Sequence, residues 1–122
     1  MGMFDSIIAE IECPKTRKTE KNEIQIKWRE QRYRDIEGFL VGDTVNNIDP
    51  EYNNTWIKAD YICQSCSPKT RQNIGGRKIE FVRVRDQIWH PCYVKIENGR
   101  IASVLTEEGF SKLGIEKFVV YD

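Results

Sequence analysis

Apolar and polar residues alternate with a period of two in Phe4-Asp-Ser-Ile-Ile-Ala-Glu-Ile-Glu12 and again in Ile24-Gln-Ile-Lys-Trp28, the signature of half-buried strands. Between them, Cys13-Pro through Asn22 is polar and lysine-rich, which predicts an exposed connection. Phe39-Leu-Val-Gly-Asp-Thr-Val45 predicts a short strand broken at Gly42, and the turn formers of Asn46 to Asn54 predict a surface loop. Trp56 to Ile62 runs into a cysteine pair, and Ser67 to Gly76 reads as a flexible polar loop ending in Gly75-Gly76. Ile79 to Val84, Ile88 to Ile96 and Arg100 to Leu105 then predict a three-stranded meander, with Asn98-Gly99 suited to a two-residue type I′ turn. Thr106 is placed to cap a short helix through Leu113, with Glu107 and Glu108 in its first turn and Gly114 ending it. Lys117 to Tyr121 predicts a last strand. The expected fold is mainly β, or α+β with one short helix: a small antiparallel β domain.

Length and charge narrow the function classes. A chain of 122 residues has room for one domain, residues 1–122, whose core is small enough for a metal staple to matter. Charged residues make up 31% and hydrophobic ones 39%, with 19 basic against 19 acidic side chains, so global charge marks neither a nucleic-acid binder nor a membrane-surface protein. No apolar run approaches the roughly 20 residues of a membrane span. The start Met1-Gly-Met-Phe-Asp5 lacks a signal-type apolar core, so a cytoplasmic protein without a membrane partner is expected. Gly2 and Ser6 fit a short myristoylation pattern that is common by chance.

The densest chemistry is at the cysteines. Cys63 and Cys66 have the two-residue spacing of a metal knuckle, whose thiolates converge on one tetrahedral ion. Cys13 and Cys92 bring the thiols to four, and His90 competes with Cys92 for the fourth ligand position of a structural zinc. The first knuckle is incomplete: Thr16 stands three residues after Cys13, where a second soft ligand would sit. The plainer alternative, four buried thiols without metal, stays open. His90 is the sole histidine. A Cys92–His90 nucleophile pair is disfavoured by Pro91 between them and by the lack of an oxyanion-hole motif. No catalytic residue is assigned.

Residues 15–34 carry Lys15, Arg17, Lys18, Lys21, Lys27, Arg29, Arg32 and Arg34 against Glu20, Glu23 and Glu30. Arg29, Arg32 and Arg34, with the aromatic side chains of Trp28, Tyr33 and Trp56, are the candidate partner-binding residues. They suit phosphate contact and stacking on a nucleic acid, or anchoring at a protein interface. A later basic series, Lys69, Arg71, Arg77, Lys78, Arg83 and Arg85, adds to the first reading. Charges that keep a strand edge from aggregating are the simpler account of both.

Met1-Gly-Met-Phe-Asp-Ser-Ile-Ile, Cys13-Pro, Glu23-Ile-Gln-Ile-Lys, Val41-Gly-Asp, Cys63-Gln-Ser-Cys and Tyr93-Val-Lys-Ile-Glu-Asn-Gly-Arg-Ile resemble, in order, small phage and prophage proteins of unassigned function with zinc-ribbon-like cysteines. In that group a second cysteine usually follows Cys-Pro, where this chain has Thr16. The resemblance implies a non-enzymatic accessory protein that binds and inhibits a host or phage protein such as a defence factor. A small nucleic-acid-binding zinc-ribbon module is the alternative, and an unidentified hydrolase or nuclease a weaker one.

Overall fold

A computed structural model describes residues 5–26, 38–45, 48 and 50–120. The alternation in the first segment becomes β1 (Asp5–Glu12), with Ile7, Ala9 and Ile11 buried and Glu10 turned to solvent. It pairs antiparallel with β2 (Thr19–Ile26), which buries Asn22, Ile24 and Ile26. The strand therefore starts before the apolar alternation does. Its polar first half is recruited by cross-strand pairing with β1, so the connection at Cys13 is shorter than expected.

β3 (Gly38–Leu40) lies parallel to β1. It ends at Leu40, and the turn that follows includes Gly42, whose φ of 100° a side chain would strain. β4 (Trp56–Cys63) and β7 (Ile88–Glu97) are the central strands, paired from Trp56↔Lys95 to Cys63↔Ile88. β8 (Arg100–Thr106) follows through the Asn98–Gly99 turn, where φ is 50° and 73° as a type I′ turn requires. Side-chain carbonyls of Asn54 and Asn53 accept from the N–H groups of Asn98 and Gly99 at 2.8 and 2.9 Å.

The seven-stranded sheet runs β3-β1-β2-β4-β7-β8, with β9 (Val119–Val120) parallel to β4. The two parallel pairs make it mixed rather than purely antiparallel. It also curls. Beyond β3, the Gly42 and Val45 N–H groups donate to the Ile101 and Gly99 carbonyls at 2.8 and 2.7 Å, so the chain returns to the far edge strand. The curl encloses Ile7, Ile24, Ile57, Tyr61, Val94, Ile96 and Ile101, each 0% exposed. On the outer face, Thr106 caps α1 (Glu107–Ser111) by accepting from the Gly109 N–H at 3.0 Å. This seats Phe110 flat on Tyr93, with ring centroids 3.8 Å apart, and edge-on to Trp56. Among the described residues, no helix is long and apolar enough to cross a membrane.

One region departs from the sequence expectation. Ser67 to Gly76 is not a plain loop, and the strand at Ile79 does not join the meander. Instead, among the described residues, β5 (Thr70–Ile74) and β6 (Arg77–Phe81) pair only with each other, through a turn at Gly75–Gly76 with φ of 57° and 80°. Nearly every residue of this two-stranded arm is exposed. A 3-10 turn, Val84–Asp86, carries the chain back to β7.

Candidate metal centre

Four side chains from three places in the fold meet at one end of the sheet. Cys13 lies in the turn after β1, Cys63 ends β4, Cys66 follows in the knuckle, and His90 points inward from β7 opposite Tyr61. Their ligand atoms all lie within 4.8 Å of one another. A tetrahedral ion about 2.3 Å from sulfur and 2.0 Å from nitrogen would space them roughly 3.5 to 3.8 Å apart, so a small contraction completes the cage. The Cys66 Sγ to His90 Nε2 distance is already 3.2 Å.

Each part is fixed from the backbone. The Lys15 and Thr16 N–H groups both point at Cys13 Sγ at 3.4 Å, and the turn closes with Arg17 N–H on the Cys13 carbonyl. Arg17 takes a φ of 63° to do so. Thr16, where a second thiol would complete a ribbon, bonds Ser65 Oγ at 2.7 Å, and Ser65 in turn lies 3.5 Å from Cys63 Sγ. The missing cysteine is thus replaced by a hydroxyl pair beside the thiols. Ser67 donates to the Cys63 carbonyl and accepts from the Ile88 N–H at 2.9 Å, tying the knuckle to β7. Asn22 accepts from the Gln64 N–H, and Tyr61 OH donates to the Glu12 carbonyl at 2.9 Å, fixing β1 to β4 below Cys13.

The electrostatics favour a cation. Burial acts to raise the Cys13 thiol, but hydrogen bonds from Ser65, from Thr16 and from the Thr16 and Lys15 amides outweigh it and bring it down to about 5. Cys66 goes the other way, to about 12, through burial and then through its hydrogen bonds and charge repulsion with Cys63 and Cys13. Tyr61 is likewise pushed up, by burial first and by the nearby thiolates second. One thiol ionises readily and the next resists, first through burial and then through the thiols and negative charge beside it. A divalent ion removes that repulsion.

Of the sequence candidates, the cluster takes Cys13, Cys63, Cys66 and His90, and leaves out Cys92. Cys92 faces inward like His90, two residues on, but opposite Ala59 and wholly buried. Burial, then the charge of Asp60, pushes its thiol up, so it packs as a small apolar side chain. β7 runs straight through Pro91 because β8 pairing starts only at Cys92↔Thr106, which leaves a free edge where proline is tolerated. Trp56 is 9% exposed against Phe110, so its ring is committed to packing rather than offered to a partner. Trp28, Arg29, Arg32, Tyr33 and Arg34 lie outside the described residues. Sequence reasoning missed Thr16, Ser65 and Ser67 as supports, although hydroxyls clustered around a cysteine pair are visible in Cys63-Gln-Ser-Cys-Ser67.

Comparison with protein-family models, with curated proteins and with solved structures finds no match to this chain.

Proposed function

We propose that this protein is a non-enzymatic binding module in which a structural zinc ion clamps the β5–β6 arm onto a curled β scaffold. The observation that carries this reading is where the ligands fall around the arm. Cys66 precedes its outgoing strand and His90 follows its return, and the two ligand atoms sit 3.2 Å apart. The hydrogen bond of Ile88 N–H to Ser67 closes the same neck. Metal chemistry at this point fixes the direction of the arm.

Three thiolates and one imidazole suit zinc, and four protein ligands leave no coordination position for water or substrate. That supports a structural rather than a catalytic ion. The arm then becomes the natural contact element, because it contributes little to the core and is nevertheless anchored at both ends.

Elemental analysis of the full chain, purified without chelator, tests the reading. About one zinc per chain is expected in the native protein and in Cys92→Ala, and a clear loss in Cys66→Ala. A metal-free native chain would overturn the zinc clamp. Cobalt(II) substitution adds a second check: the thiolate–cobalt spectrum should not respond to cyanide, whereas a response would reveal an open coordination position and favour catalysis.

A further inference from the structure

The chain is neutral overall, but its charge is not evenly spread. Residues 69–86, the arm and its return, hold Lys69, Arg71, Arg77, Lys78, Arg83 and Arg85 against the two carboxylates of Glu80 and Asp86. Glu80 is already engaged, at 3.5 Å by Lys69 and 3.2 Å by Arg71. Among the described residues, no carboxylate pairs with Arg77, Lys78, Arg83 or Arg85. Unpaired cations repel one another and are stabilised by an external anion, most strongly by one with regularly spaced charges.

The register of the arm divides its two faces. Arg71, Glu80, Asn73 and Lys78 share one, while Thr70, Phe81, Gln72, Ile79, Ile74 and Arg77 share the other. Arg77 and Lys78 therefore project to opposite sides of the tip, directly after the Gly75–Gly76 turn. A two-stranded ribbon has the width of a duplex major groove, and cations on both sides of its tip would meet the phosphate walls that flank such a groove. Phe81 and Trp89, 36% and 40% exposed, lie nearer the neck, where an aromatic face can stack on an unpaired base.

We infer that the β5–β6 arm is a nucleic-acid-binding element that engages the phosphate backbone through Arg77 and Lys78 at its tip and, at its root, through Arg85 of the return turn beside Arg83. The inference rests on the arm being the contact element of the proposed module. It selects a polyanion over a protein partner because the unpaired cations outnumber what the protein itself neutralises. An apolar protein partner would instead use Ile74, Ile79 and Phe81.

Fluorescence anisotropy with the zinc-loaded full chain tests it, using a short DNA duplex and a uridine oligonucleotide as separate probes. With three phosphates neutralised, affinity for the duplex should fall about fortyfold between about 50 and about 200 mM salt, and less steeply for the single strand. The variant Arg77→Gln with Lys78→Gln and Arg85→Gln should lose most of the binding and flatten the salt dependence, while keeping its metal content and melting temperature. These side chains are outside the core, so the fold should survive. No binding to either probe at low salt by metal-loaded protein would overturn the inference and leave the zinc clamp standing. Binding that the triple variant retains, or that only Ile79→Ser with Phe81→Ser removes, would overturn it as well.

Discussion

The β7–β8 and β5–β6 hairpins turn in the same way. Asn98 and Gly99 have φ of 50° and 73°, Gly75 and Gly76 of 57° and 80°. Their flanking strands live in different surroundings. β7 and β8 bury Cys92, Val94, Ile96 and Ile101 completely, whereas β6 buries nothing. A hairpin on the curled sheet is held by apolar area removed from water; the arm has no such contribution and depends on its own ladder and on the Ser67–Ile88 hydrogen bond across its neck. An isolated two-stranded hairpin is only marginally stable in water. The cluster of Cys13, Cys63, Cys66 and His90 stands at the base of the arm, where a bound metal ion would offset that deficiency.

This contrast gives graded expectations. Ile57 is 0% exposed at the centre of β4, and Ile57→Ala should cost about 2–5 kcal/mol of global stability in chemical denaturation. A loss well under about 1 kcal/mol would mean that the enclosed face is not the stabilising core. Gly99→Val comes next. A new Cβ would meet only the Val45 carbonyl at 4.0 Å, so space is available and the cost is the positive φ, roughly 1 kcal/mol or more. The cap variant Thr106→Ala should cost about 1 kcal/mol, read in a thermal melt, by releasing the Gly109 N–H and loosening the seat of Phe110. The smallest global effect is expected from Gly76→Val. The backbone strain matches that at Gly99, but the arm unfolds locally and the melting temperature of the sheet should hold. Equal shifts for the two glycine variants would break the distinction between hairpins.

The strands of the sheet were legible because one side of each faces the enclosed core, which imposes the period of two read in Ile7, Ala9 and Ile11 or in Ile24 and Ile26. The arm was not. Thr70-Arg-Gln-Asn-Ile74 carries no alternation because neither of its faces is buried, so its strand character comes from pairing with β6 alone. The choice between His90 and Cys92 was hidden for a related reason. Two residues apart on one strand, both face inward, and only the register of β7 on β4 decides which one reaches the knuckle. Pairing of Tyr61 with His90 puts the imidazole beside Cys66 and leaves the thiol of Cys92 further along, above Ala59. The Cys63–Cys66 pair needed no such information, since both ligands come from a single turn.

Hydrogen exchange on the full chain, with zinc bound and after chelation, tests most directly the claim that a metal clamp orders the arm on a self-supporting sheet. Residues 70–81 should exchange at least about tenfold faster once the ion is removed, while the amides of β1, β2 and β4 keep their protection. Exchange in the arm that ignores the metal, or a simultaneous loss of protection across the whole sheet, would contradict the account.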